Sequence, residues 1–562
     1  MQKMSSKFSY LFKKFFIFRF FVFLLVFGGI AASVLFAVSF AGKKPELISV
    51  SPQVVEAGSK VKIKGRHFGS KFNSSWIQIG GSIIQSENCD VWTENEIEFT
   101  YPDYQDTGLL FVVVQNRKSN PSFLAAVAEI PVITDKFLPS EAPSINALSK
   151  DFAEVGSILK ISGENFGGSR LNTQVMFVPN FTPALLAEIE KGEDVGAAYC
   201  SDYNFDFIAW TNEEIQVRVP DGADSGVIIV ATAKGLSNPV PFRLKNRVGT
   251  KMRSNKKNIV LAAETDVSNI TAEEKNTLFL KIPLPIENYS QRDAQILSIN
   301  PAPFVKNYKG SSIHQYENTG ISTRIHIRQE YSINSYEVTT KINPGNVRTG
   351  QKQNQALYNA YAIATEFIPA NDELIQKTVA EIVQGEKNPY NQAKRIYNYI
   401  LKNIEIVPST LSNTRTEFKN VLTNKKADPY DAAFLFTTCA RACGIPAQPA
   451  AGIVIDVSQN TYLHWWAEFY LEGFGWLPVD IGMAKAVPFD IGISQKENWY
   501  FGNIDAFRAA FGLGRNSQPP MTSNGKNSAK ERSYSFNDSW EETVGITSYN
   551  SVWKIPTLIA VY

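Results

Sequence analysis

Gly58, Gly65, Phe68 and Gly69 recur as Gly156, Gly163, Phe166 and Gly167, each 98 positions further on. Later, Trp92 recurs as Trp210, and the triplet Ser119, Asn120, Pro121 recurs as Ser237, Asn238, Pro239, now 118 positions on. Two copies of one unit therefore occupy this part of the chain, and the second is the longer. Its extra length falls in 180–206, with ALLAEIEKGEDVGAAYCSD at the centre. Within the first copy short runs alternate apolar and polar residues: KVKIK at 60–64, SWIQI at 75–79, EIEFT at 96–100 and LLFVVV at 109–114. Period-two runs separated by Gly, Pro and Asn predict a small β-sandwich. Two copies are few for a solenoid, so tandem beads are expected over 45–132 and 142–246. The glycines before Phe68 and Phe166 are expected at tight turns that need positive φ.

These repeats resemble IPT/TIG domains. The resemblance rests on PELISVSP at 45–52, GSKVKIKGRHFG at 58–69 and VGSILKISGENFG at 155–167. It implies the immunoglobulin-like fold of surface receptors and transcription factors. In bacterial surface proteins such domains serve as spacers or as protein- and glycan-binding modules.

At 562 residues the chain is too long for one hydrophobic core, so several domains are expected. Its formal charge is +2, but residues 1–44 hold seven Lys or Arg and no acid, which leaves the remainder at −5. A body of that sign lacks the electrostatic footprint of a nucleic-acid binder. Lys3, Lys7, Lys13, Lys14 and Arg19 precede an uncharged apolar run over 20–42, long enough to cross a bilayer as a helix. The positive excess before the run predicts a cytoplasmic N-terminus at 1–19, a single-pass anchor at 20–42 and an extracytoplasmic body. Alternatively, a signal peptide ends at Ser39, Phe40 and Ala41, which also exports the body. Of the four cysteines, Cys89 and Cys200 fall in the two beads, and Cys439 and Cys443 in a later helix. Neither they nor His67, His314 and His326 show metal-type spacing, and no metal or cofactor is expected.

Beyond the beads, NTLFLKIPLPIEN and STRIHIRQEYSINSYEVTTKI alternate strongly, and a separate β-domain is expected over 275–350. A mainly helical region follows. Ala393, Ile396, Tyr397, Ile400 and Leu401 share one face of a helix over 388–403. Asp428 and Pro429 open another: Asp accepts from orphan first-turn N–H groups, and Pro suits the first helical position. Asp431 favours the same positive end, the run AAFLFTTCARAC has little polar surface, and Gly444 suits the C-terminal cap. Residues 514–532, rich in Asn, Ser, Gly and Pro, are expected to form a flexible loop without a function.

From 427 the chain resembles the transglutaminase-like superfamily of papain-type cysteine peptidases and acyl transferases. The carrying residues are DAAFLFTTCARACGIPAQ at 431–448, HWWAEFY at 464–470 and GWLPVD at 475–480, with NPYNQAKRIYNYI upstream and WYFGNIDAFRAAFGLG downstream. The β-domain, with its LKIPLP, resembles the sandwich that often precedes this core. The implied architecture is multidomain: an anchor, two Ig-like β-sandwiches, a further β-domain and an α+β transglutaminase-like domain over 351–545. The resemblance makes His464 the general base and Asp480 the residue orienting it. The family's nucleophilic cysteine opens the helix in a pattern like GDC, fifteen residues before the glycine of GIPA. Here that position is Pro429, in A-D-P.

Proline supplies neither a nucleophile nor a backbone N–H. Cys439 lies ten residues further on, about 15 Å along the helix axis, whereas a catalytic pair needs hydrogen-bond reach, about 3 Å. Thr437 and Thr438 fail for the same reason. Cys439 and Cys443 are expected to pack as small apolar groups. The leading expectation is a membrane-anchored cell-envelope protein with an inactive transglutaminase-like domain that binds a protein, peptide or glycan. Two other readings stand beside it. One is an active peptidase or acyl transferase with a displaced nucleophile such as Ser409 or Ser412; the other is a surface spacer.

Overall fold

A computed structural model describes residues 44–562 apart from short segments, the longest being 103–107 and 127–140. The expected N-terminal segment at 1–19 and anchor at 20–42 lie outside the described residues. Among the described residues no helix is long and apolar enough to cross a membrane. The chain forms two compact units, 1–130 and 131–562.

The first unit is a two-sheet sandwich. One sheet runs in the order Glu46–Ser51, Lys60–Arg66, Glu96–Thr100, Val91–Trp92; the other runs Val54–Val55, Ser122–Ala126, Gly108–Val114, Ser75–Ile79, Ser82–Gln85. Residues 144–244, in the second unit, repeat both sheets in the same strand order. The lengthened loop carries a helix, Ala184–Glu190.

The repeated residues do the same work in both copies. Asn120 accepts from Leu47 N at 2.7 Å and donates to Leu47 O; Asn238 does so with Ile145. Each amide therefore ties the first strand to the last hairpin of its bead. The Ser119 hydroxyl accepts from Val112 N, as Ser237 does from Val230 N. The glycines divide into two kinds. Gly58 and Gly156 have positive φ, as expected, and so do Gly69 and Gly167, which follow the phenylalanines. Gly65 and Gly163 do not, and the turn explanation fails for them. A Cβ on Gly65 would lie 2.2 Å from Glu46 O and 2.2 Å from the Phe68 ring, and one on Gly163 would meet Ser144 O and Phe166 in the same way. The phenylalanine ring lies where a side chain would begin.

In the second unit the β-domain is larger and less contiguous than expected. Strand β1 (Gly249–Pro283) pairs with β3 (Ser311–Glu317), β4 (Ile325–Ile342), β9 (Glu541–Trp553) and β10 (Thr557–Val561), and β4 also pairs with β2 (Gln291–Asn300). The sheet thus starts well before 275. It is completed by strands that return after the helical core, and the expected cut at 545 falls inside β9. Alternation marks strands but not their partners, so the closing pair was not legible locally.

Between these strands sits an α+β core. Helices α1 (Glu373–Val383), α2 (Pro389–Asn403) and α3 (Pro429–Ala442) cover a four-stranded antiparallel sheet. Its order is β7 (Gly475–Val479), β6 (Thr461–Leu471), β5 (Ala447–Ile455), β8 (Arg508–Leu513). Trp465, Ala467, Phe469 and Leu471 of β6 join α3 in one apolar core. The alternate residues Trp466 and Tyr470 pack on the opposite face with Ile286 and Tyr289. Ala393, Ile396, Tyr397 and Ile400 are buried from α2, as the helical period predicts. Gly444, at φ 74°, follows α3.

The second bead is joined to this core by buried polar contacts. Asp221 pairs with Lys251 at 2.5 Å and accepts from Trp476 N at 2.9 Å. Lys251 also donates to Trp476 O, and Asn204 accepts from Trp476 Nε1. Gly475, at φ 103°, is needed here because a Cβ would lie 2.1 Å from Asp221 Oδ1. The second of the two tandem beads is therefore built into the core.

Candidate functional site

The N-terminus of α3, the start of β6 and the end of β7 converge on one buried cluster. Asp428 caps α3 by accepting from Asp431 N at 2.9 Å, and Pro429 takes the first helical position. His464 and Asp480 are both 0% exposed. His464 Nε2 is 2.9 Å from each oxygen of Asp480, so the acid fixes the ring and its donating nitrogen. His464 Nδ1 is buried without a hydrogen-bond partner among the described residues. A Cβ on Gly482 would lie 2.7 Å from His464 Cε1 and 3.0 Å from Pro429 Cβ. Pro429 and the His464 imidazole therefore both crowd against Gly482.

Sequence reasoning missed Arg508. Its Nη1 donates to Asp480 Oδ2 at 2.9 Å, and Nη2 pairs with Asp505. Asp480 also accepts from Met483 N, capping the short helix Ile481–Ala484. Burial pushes the Asp480 carboxyl up, but His464 and Arg508 outweigh it and bring it to about 2. The acid is ionised and tied on three sides. Arg508 stands in FRAAFG, inside a segment already matched to the core, and an isolated arginine in an apolar strand was the available signal.

The expected flexible loop is tied down instead. Arg532 donates to Asp428 Oδ2 at 2.5 Å and to Asp431 Oδ1 at 2.8 Å, and its guanidinium lies 4.4 Å from the Tyr430 ring centre. Glu531 holds Arg515 and Arg415. Gln518, Met521 and Thr522 of the same segment are buried. Composition suggested freedom here, and long-range ion pairs removed it.

The remaining nucleophile candidates are otherwise engaged. Thr437 and Thr438 donate back to Ala433 O and Phe434 O at 2.8 Å each. Burial raises the Cys439 thiol far above its ordinary value and the Cys443 thiol to about 11, the reverse of what a thiolate nucleophile requires. Ser409 donates to Asp428 Oδ2 at 2.6 Å, which brings one hydroxyl to the cap beside Pro429. Ser412 lies outside the described residues. Cys89 and Cys200 are buried, each in the core of its own bead, and neither is in a disulfide among the described residues.

On the face of β6 that carries Trp466 and Tyr470, four residues past His464, Glu468 lies at a cavity of about 580 Å³ between the second bead, the β-domain and the core. Tyr289 donates to Glu468 at 2.8 Å. Burial raises the Glu468 carboxyl to about 7 against the opposing pull of Tyr289, Gln448 and Lys251. Burial likewise raises Asp206, in the second bead, to about 8. A carboxyl whose folded pKa is raised stabilises fully below its unfolded value and loses that contribution as pH rises through the folded one. The unfolding midpoint is therefore expected to fall between pH 5 and 8, in the window given by those two groups. Glu468→Gln should flatten that fall in a pH series of thermal melts, and an unchanged slope would contradict the assignment.

Residues 376–481 match the family model of the transglutaminase-like superfamily, and residues 45–126 match that of the IPT/TIG domain. An uncharacterised protein of Haemophilus influenzae is 30% identical over 143 residues, spanning 21% of this chain. The chain covers 38% of that relative's length. Among solved structures, a candidate cysteine protease from Cytophaga hutchinsonii is 14% identical, over 55% of this chain and 93% of that one, with a TM-score of 0.35. A protein named SGBP-B, from a xyloglucan utilization locus in Bacteroides uniformis, is 12% identical over 53% and 100% of the two chains, with a TM-score of 0.14. The chain therefore carries a transglutaminase-like domain together with an IPT/TIG domain.

Proposed function

We propose that this is a membrane-anchored cell-envelope protein whose transglutaminase-like domain does not catalyse and instead binds a protein, peptide or cell-wall ligand. One observation carries the catalytic half of the proposal: the residue at the helix start that crowds against Gly482 together with His464 is Pro429, which has no nucleophilic group. A cysteine there would be activated by the helix N-terminus and the imidazole together, and proline offers no group to activate. His464 and Asp480 then persist as a buried structural pair. The anchor rests on the apolar run at 20–42 and the basic residues before it.

Ser409 supports a second reading, in which a displaced hydroxyl serves as nucleophile. Its bond to Asp428 weighs against this, because that carboxylate is held by Arg532 and is not an imidazole. Turnover by the full-length chain, with a glutamine peptide and a primary amine or with peptides alone, separates the two readings. Neither acyl transfer nor cleavage is expected. Turnover that Ser409→Ala abolishes would establish the second.

A further inference from the structure

A cavity of about 310 Å³ lies between α3, the end of β8 and the segments around 361–368 and 514–516. Its walls include Phe367, Phe434 and Phe511, and no Asp or Glu lines it. Two arginines do. Arg515 stacks 3.5 Å from the Phe367 ring centre and is neutralised by Glu531. Arg441 differs. It is 6% exposed, donates from Nε to Ala447 O at 2.8 Å and from Nη1 to Ile363 O at 2.9 Å, and has no carboxylate partner among the described residues.

Two carbonyl dipoles do not replace a counter-ion for a buried guanidinium. A charge removed from water is normally paired, because its desolvation is otherwise uncompensated. Nη2 of Arg441 has no partner among the described residues, and the residue lines an open space with aromatic walls. The volume is at the lower end of small-ligand pockets, about 300 Å³ upward. None of the residues of the His464 cluster lines it.

We propose that this cavity binds a carboxylate carried on an aromatic group. Arg441 supplies the missing charge complement, and the three phenylalanines enclose the apolar part. The cavity is independent of the catalytic question, since neither His464 nor Asp480 lines it. The carboxylate belongs either to a small free acid or to the C-terminal residue of a peptide, and both present the same group.

Calorimetric titration of the full-length chain tests it, with phenylacetate, N-acetyl-phenylalanine, N-acetyl-phenylalaninamide and inorganic phosphate as probes. Saturable binding of at least one acid is expected, with the amide and phosphate at least about tenfold weaker, as loss of a charged hydrogen bond or of the apolar contact implies. Stronger binding of N-acetyl-phenylalanine than of phenylacetate identifies the peptide terminus as the source, and the reverse order identifies a free acid. Arg441→Gln should weaken the acid by a similar factor. Because that variant also loses a carbonyl clamp, Ala360→Trp provides an independent arm. It fills the cavity from a half-buried helical position and should abolish binding without lowering the melting temperature. Equal affinity for acid and amide, equal affinity for phosphate, or no binding of either acid would overturn the proposal, as would unaffected binding in Ala360→Trp.

Discussion

Asp480→Ala is expected to destabilise the core by about 3–5 kcal/mol, the cost of breaking a buried ion pair by removing one partner. The carboxylate serves His464, Arg508 and Met483 N together. Its removal strands the imidazole and leaves Arg508 with Asp505 alone. Asp480→Asn, which keeps the shape and one acceptor, should lose less. The measurement is the denaturant midpoint of the core transition, followed separately from that of the first unit because two units need not unfold together. The pH dependence has a fixed sign. With a folded pKa of about 2 against an ordinary 3.8, the carboxylate contributes fully above pH 4 and loses that contribution as pH falls toward 2. The difference between wild type and Asp480→Ala should therefore shrink across that window. A loss below about 1 kcal/mol, the scale of an exposed pair, would mean that the pair is not structural.

Asp221→Ala is expected to cost a similar amount, about 3–5 kcal/mol, but at the joint between the second bead and the core. It removes the partner of Lys251, whose ammonium is buried between the rings of Tyr289 and Phe474. It also frees Trp476 N. Burial already lowers the Lys251 pKa, and Asp221 is the main opposing influence. Without the acid, the lysine must neutralise or leave the joint. Hydrogen exchange should then rise in residues 196–224 and 474–477 with the first unit unchanged. Adding Lys251→Met should recover most of the loss, because an apolar replacement of both partners removes the stranded charge. Failure of that rescue would show that the joint depends on shape rather than on the ion pair.

These two expectations mark what the sequence could and could not disclose. The His464–Asp480 pair was legible through the family resemblance, and the proline at the helix start through its register to Gly444, which is local. The same holds for the bead repeat, since Asn120 and Asn238 recur with their partners at fixed offsets. The partners of Arg508, Arg532 and Asp221 were not legible. Each acts 28 to 255 residues away from its partner, and no periodicity encodes such a distance. The segment 514–532 misled for a physical reason as well. Asn, Ser, Gly and Pro discourage regular structure, but buried side chains and ion pairs hold an irregular segment just as firmly.

On the proposed reading, Pro429 removes the chemistry while the rest of the cluster is retained as structure. Thiol-dependent turnover of the full-length chain tests it most directly, measured as amine incorporation and peptide cleavage with and without iodoacetamide, and with His464→Ala as control. No turnover above background is expected in any of these samples. Turnover that iodoacetamide inhibits and His464→Ala abolishes would contradict it.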